Sequence, residues 1–308
     1  MDRSCLIVGA GMAGLAAGHR MQAAGWRVKI VDKGRVAGGR MATRTFDEGR
    51  FDYGAQFFTT RDAAFAELAR SWIDSGLAVP WRGHRFRAAG GMRAVAETLA
   101  AGLDVRPGVK VTRLEFAADR WTAELETGET VEADTLLLTP PVPQSLALLE
   151  QGGVELETAD RALLEQARYW KCMTILMRVE GTTQVGECGF VEPRNEVLAW
   201  AGDNYAKGVS PVPGCLTLHG TKEFSEAHWD EPQAVAVHSM LEAAEPYFQG
   251  RIRSYYLHRW RYAEPAMQMP ELFHGIGGLA FAGDVFGGAR VGGAVCSGLA
   301  AADYLMVR

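Results

Sequence analysis

No Cys-x-x-Cys pair occurs in the 308 residues, and the five cysteines (5, 172, 188, 215 and 296) are an odd, scattered set. That argues against a disulfide framework or a zinc clamp and fits a reducing, cytoplasmic setting. A basic surplus is also lacking. Thirty-two Lys and Arg face 37 Asp and Glu, for a net charge of -5, so nucleic acid is a poor partner. No apolar run approaches the roughly 20 residues that a bilayer demands, so no membrane span is predicted. The uncharged stretch Cys5–Gly18 behind Arg3 imitates a signal peptide. A further strand, Val28–Val31, follows it at once, so residues 1–33 read as a mature βαβ unit. Neither a Gly-x-Ser-x-Gly elbow nor His-Glu-x-x-His is present, which leaves no triad and no metal site to expect.

Glycine is what the chain has in excess: 36, against about 22 at an average usage of about 7%. Ten fall in residues 1–56 and nine in 272–308, so both ends carry a cluster around an ordinary middle. Glycine collects where backbone must turn with positive φ or approach something closely. The spacing therefore suggests that both termini converge on one bound object. Hydrophobic residues at 48% and charged residues at 22% are globular values, and the length suggests about two domains of roughly 150 residues each.

The first cluster contains Gly9-Ala10-Gly11-Met12-Ala13-Gly14, a GxGxxG between a strand (Leu6–Val8) and a helix (about 13–24). The first glycine makes the turn, the second admits a diphosphate, and the third lets helix and strand pack. Phosphates then meet the positive end of the helix. Asp32, 23 residues after Gly9, is placed to accept hydrogen bonds from an adenosine ribose, with Lys33 beside it. Gly38-Gly39-Arg40 follows, where the guanidinium could hold the diphosphate; a plain surface loop reads equally well. At the other end, Gly283-Asp284 ends a strand and Gly292-Gly293-Ala294 starts a helix. A carboxylate there suits the ribitol hydroxyls of a flavin, and a helix N-terminus suits the charge that develops on its pyrimidine edge. A nicotinamide cofactor would not require this second cluster, so noncovalent FAD is favoured as the resident cofactor. His274-Gly275-Ile276-Gly277-Gly278 is no second fingerprint, since a strand rather than a helix follows it.

These residues resemble the flavin-containing amine oxidase superfamily, and within it the short, bacterial renalase-like branch, nearly end to end. The likeness is carried by Val8–Ala17, Gly38–Arg44, Asp52–Thr59, Gly90-Gly91-Met92, Leu137–Gln144, His258–Ala263 and Ala282–Gly298. The resemblance implies that Gly54, Ala55, Gln56 and Phe57 lie beside the flavin ring and that Val111 holds the adenine through its backbone. It also places Thr139 and Pro140 at the cofactor. It implies an oxidase that takes a hydride from its substrate to flavin and passes the electrons to O2, giving H2O2. For the renalase-like branch the substrate would be the aberrant 2- or 6-dihydro isomers of NAD(P). Two departures stand out. Relatives often carry Arg-Val-Glu-Gly-Ala where this chain has Arg290-Val291-Gly292-Gly293-Ala294, and an Arg-Asn pair where it has Asp203-Asn204.

Candidate substrate-pocket residues are Asn204, Lys207, His219, Trp260 and Tyr262. Trp260 and Tyr262, two apart on an extended segment, would point the same way and flank a flat ring, though ordinary aromatic core packing accounts for them as well. His219 could orient a carboxamide, or be a plain hydrogen-bonding residue at a strand end. Lys207 could equally be a solvated loop residue.

The expected architecture is α/β. A Rossmann-type FAD domain (1–58, 88–143 and 262–308) is interleaved with a smaller, mixed-sheet α+β substrate domain (59–87 and 144–261). Two other functions stay open: an amine or other small-molecule oxidase, and a non-catalytic flavin-binding redox sensor.

Overall fold

The computed structural model describes residues 3–308. Its central sheet has six strands in the order β18 (His274–Ile276), β19 (Leu279–Phe281), β12 (Thr135–Leu138), β1 (Ser4–Val8), β2 (Arg27–Asp32), β8 (Asp104–Pro107). All pairs are parallel except the edge strand β18. The innermost strands are apolar on both faces, Leu6-Ile7-Val8 beside Leu136-Leu137-Leu138, as covering on both sides requires.

One face is covered by α1 (Met12–Ala23), α3 (Arg93–Ala100) and α9 (Val291–Met306), joined by the apolar side of α2 (Ala63–Asp74). Phe65, Ala69 and Trp72 of α2 thus share a core with α1 and α9, although 59–87 was expected with the substrate unit. The other face carries a meander of β9 (Val111–Ala117), β10 (Arg120–Leu125) and β11 (Thr130–Ala133), with α4 (Val142–Gln151) and α5 (Thr158–Leu164).

The second large sheet is antiparallel throughout: β14 (Phe190–Val191), β15 (Leu198–Asp203), β16 (Cys215–Gly220), β13 (Tyr169–Thr183), β17 (Phe248–Pro265). Its core face is closed by α7 (Gln233–Ala244) and α6 (Lys222–Ala227). A hairpin of β3 (Thr43–Phe46) and β4 (Gly49–Asp52) bridges the two units, with Phe51 fully buried against Leu176 and Cys215. That one ring stabilises the junction by about 2–3 kcal/mol. A small sheet of β5 (Phe58–Thr59), β7 (Arg85–Ala88) and β6 (Ala78–Pro80) lies beside it, and α8 (Asp284–Gly287) follows β19. Among the described residues, no helix is long and apolar enough to cross a membrane.

Candidate functional site

The glycine loop follows β1. Gly9 has φ +102, and a Cβ there would fall 2.3 Å from Thr139 Oγ1, whose hydroxyl donates to the carbonyls of Val8 and Gly9. A Cβ on Gly14 would meet the Gly9 carbonyl at 2.1 Å, so this glycine serves close helix–strand packing. Gly11 differs. Its φ of -77 suits any residue, and a Cβ there would meet nothing within 4 Å. The protein itself therefore gives no reason for glycine at 11; a ligand seated against the backbone does. The first turn of α1 also has no side-chain cap and no acidic residue, so its N–H groups stand ready for an anion, over the buried Met12 and Ala13.

Asp32 holds the rim of this loop. Its Oδ2 accepts from Ala10 N and its Oδ1 from Gly34 N, both at 2.6 Å, leaving one acceptor site on each oxygen for hydroxyls. Gly108 N and Val109 N donate to the carbonyls of Gly34 and Asp32, which sets Val111 and the start of β9 beside the acid. Lys33 reaches away to Gln144 on α4, 3.0 Å.

The C-terminal cluster closes on the same place. Arg40 forks onto Asp284 with Nη1–Oδ2 2.6 Å and Nη2–Oδ1 2.7 Å, and also donates to the Ala263 carbonyl. Its own carbonyl accepts from Ala55 N, and a Cβ on Gly54 would strike that carbonyl at 1.9 Å. A Cβ on Gly39 would lie 3.6 Å from the Gly11 Cα, so Gly11, Arg40, Gly54 and Asp284 form one neighbourhood. Thr139 and Pro140 border it through Gly9, and Gly283, with φ +147, donates to Ser297. Packing also requires glycine at several C-terminal positions. A Cβ on Gly293, next to Ala294, would hit the Gly287 and Gly288 carbonyls, and one on Gly298 would hit the Ala13 backbone of α1.

At the seam between the units lies a buried polar cluster. Lys207 Nζ donates to Asp52 Oδ2 at 2.7 Å and to Gln56 Oε1 at 3.3 Å, with both charged partners essentially without solvent contact. Asp52 Oδ1 accepts from Thr43 Oγ1 and from Met92 N at the head of α3. Gln56 Nε2 donates to the Asp52 and Gly54 carbonyls and lies 3.4 Å from His219 Nε2. Asn204, expected at the substrate, is used internally: Nδ2 donates to Cys215 O and Thr217 Oγ1, while Oδ1 accepts from Asp52 N. Asp52 is the residue that sequence reasoning missed. It stands in the Asp52–Thr59 motif, yet no spacing shows that it meets a lysine 155 positions away.

Burial pushes the His219 imidazole down to about 4, and the nearby Lys207 charge pushes it the same way, so the ring is neutral at physiological pH. Burial also lowers the Lys207 ammonium, with Asp52 opposing.

Aromatic rings flank this cluster. Trp260 stacks on Tyr53 at 5.3 Å and donates Nε1–H to the Tyr53 carbonyl, while Tyr262 meets Tyr169 edge-on. Phe57 packs with Trp81 and Trp200, and Trp200 stacks on Phe190 at 4.4 Å. Trp200 thus sits in an aromatic core.

The two departures have local explanations. Asp203 does not present a free charge to a mouth: it accepts from Tyr205 N, Ala206 N and Thr183 Oγ1, capping the turn that delivers Lys207. At Gly292 a Cβ would meet Asp62 Oδ2 at 2.7 Å and the Phe65 ring, so the α2 start occupies the space that a side chain would need.

Residues 7–73 match a family model for an NAD(P)-binding Rossmann-like domain, and residues 74–164 match one for flavin containing amine oxidoreductase. The chain is 47% identical over 58 residues to a phytoene desaturase (neurosporene-forming) of Cereibacter sphaeroides, across 19% of this chain and 11% of that protein. It is 30% identical over 135 residues to polyamine oxidase 1 of Oryza sativa subsp. japonica, across 42% of this chain and 21% of that protein. The matched part thus spans a minor share of these relatives' length. Among solved structures, a putrescine oxidase with putrescine bound superposes with a TM-score of 0.73 at 16% identity over 100% of both chains. A fatty acid isomerase from P. acnes gives 0.70 at 14% identity, covering 99% of this chain and 98% of that one. These likenesses establish the shared fold, and the side-chain-free approach at Gly11 with the open head of α1 fits the diphosphate of a dinucleotide. Residues 7–164 thus carry, in succession, the Rossmann-like and the flavin containing amine oxidoreductase models, and the cofactor that the second implies is FAD.

Proposed function

We propose that this protein is an FAD-dependent oxidase acting on a dihydropyridine nucleotide, specifically on the 2- or 6-dihydro isomers of NAD(P), with O2 as the electron acceptor. When bound, FAD supplies the redox chemistry, taking a hydride from the donor and returning the electrons to O2 as H2O2. Gly9, Gly11 and the head of α1 would hold its diphosphate, Asp32 its adenosine ribose, and the Arg40–Asp284 region its ribitol arm. The segment Gly54–Phe57 would border its ring.

The observation that carries the substrate class is the character of the seam. The Lys207–Asp52 pair is internally neutralised, His219 is held uncharged, and stacked aromatics stand on either side. Such a surface suits a flat, neutral ring with a carboxamide. A neutral His219, whose N–H faces the Tyr53 carbonyl, can accept one hydrogen bond from that amide, and Lys207 retains one N–H beyond its two bonds. A free carboxylate would favour an ammonium substrate, and Asp52 is already matched. The similarity to a polyamine oxidase over 135 residues supports the second reading, a small-amine oxidase.

Anaerobic mixing of the FAD-loaded protein with the 2- and 6-dihydro isomers, ordinary NADH and a panel of amines separates the readings. Bleaching of the flavin band by the isomers is expected. Bleaching by amines alone supports the second reading, and bleaching by ordinary NADH but not its isomers overturns both. No bleaching with any donor supports a redox sensor.

A further inference from the structure

We propose that a cleft beside the β3–β4 hairpin is a binding site for the phosphate group of a small phosphorylated ligand, separate from the cofactor's diphosphate site. The cleft measures about 370 Å³ and is lined chiefly by Arg44, Thr45, Arg50, Gly90 and Arg93, with Glu97 at its edge. It shares no residue with the glycine loop of α1.

Three guanidiniums reach this space from three separate pieces of backbone: β3, β4 and the first residue of α3. Among the described residues, none of the three is ion-paired, in a chain whose net charge is -5 and where Arg40, Arg85 and Arg106 all find carboxylates. With Glu97, the cleft carries a surplus of two positive charges, the complement of a dianion. Like charges gathered without a counter-ion repel one another, and a bound anion removes that repulsion.

The heads are also held in place. The Arg44 guanidinium lies 4.0 Å over the Tyr256 ring, and Arg50 Nη1 donates to the Gly90 carbonyl at 3.3 Å. Arg93 is placed by its own amide, which donates to Thr43 Oγ1, and by Met92 N on Asp52. Its Nε is buried with no hydrogen-bond partner, a donor that the protein leaves unmatched. Planar guanidinium forks match phosphate oxygens two at a time, and prior fixing by stacking and tethering leaves less freedom to be lost on binding. A tetrahedral dianion with several oxygens can engage all three arginines at once, which a single carboxylate cannot.

The test uses FAD-loaded protein, so that the cofactor's diphosphate site is filled, and isothermal titration calorimetry with inorganic phosphate and with pyrophosphate at low ionic strength. Saturable binding is expected, weakening as sodium chloride is added. Arg44→Gln and Arg50→Gln should each weaken it by about tenfold or more, the scale of a hydrogen bond to a charged group. Glu97→Gln should tighten it. Arg44 and Arg50 are solvent-exposed, so these variants should keep the yellow spectrum and the melting temperature. Absence of binding at millimolar probe overturns the proposal. So does binding whose affinity is unchanged in both arginine variants, which would place the anion elsewhere.

Discussion

Replacing Asp52 by Asn should destabilise the protein far more than its size suggests. The substitution leaves the Lys207 ammonium in a solvent-free position facing an amide, with Gln56 Oε1 as its remaining acceptor at 3.3 Å. Breaking one side of a buried pair costs about 3–5 kcal/mol, most of it the penalty of an unmatched charge. Lys207→Met is expected to cost a similar amount, since Asp52 would then rest on Thr43 and Met92 N alone. The double variant removes both charges, while the amide that replaces the Asp52 carboxylate keeps an oxygen for those two donors. Its loss should fall short of the sum of the single losses by about 2–4 kcal/mol. Equilibrium urea unfolding at fixed FAD concentration, followed by tryptophan fluorescence, measures all four corners of the cycle. Additivity within about 0.5 kcal/mol would refute the reasoning, because it would mean that the two charges do not depend on each other.

Other consequences are open to measurement. His219 is depressed in the fold, so the unfolded chain takes up its proton from about pH 6.5 downward while the folded ring resists until about 4. It therefore contributes stability at neutral pH that is lost on acidification, about 2 kcal/mol between pH 7.5 and 5, and His219→Gln should flatten the stability profile by that amount. Lys207→Met should raise the His219 pKa, read by proton NMR of the imidazole; no movement would remove Lys207 as a cause. Gly11→Ala should leave the FAD-free protein as stable as before, since its Cβ meets only open space, while weakening FAD binding by about tenfold or more. Unchanged FAD affinity would place the diphosphate elsewhere. Arg40→Lys keeps the charge but loses the fork onto Asp284, and FAD retention on gel filtration should fall.

Much of the frame was legible because it rests on local patterns. The strand–glycine–helix start and the second strand at Val28–Val31 appear within a few residues of expectation. The β3–β4 hairpin was not legible, because its turn uses Asp47 and Glu48 at positive φ (43 and 64) in place of the Asn-Gly that signals such turns. Ala118 and Asp119 do the same between β9 and β10. The start of α4 hid behind Pro140-Pro141 and Pro143, since proline reads as a stop although the first helical turn tolerates it. Within the site, the sequence named Lys207, Gln56 and His219 singly. What joins them is Asp52, and its partner Lys207 is distant in sequence, so only the tertiary fold reveals the pair. Asn204 read as ligand-facing because side-chain direction in a turn is not encoded by spacing.

The fork between Arg40 and Asp284 joins positions 244 residues apart. During synthesis at about 5–20 residues per second, roughly 10–50 s separate the emergence of the two. Throughout that interval the nascent N-terminal glycine loop exists without the arm that completes its neighbourhood. On the proposed placement of FAD, secure retention of the coenzyme is a late event in the life of each molecule, and a ribosome stalled before α8 would display a loop without the arm proposed to hold what it captures.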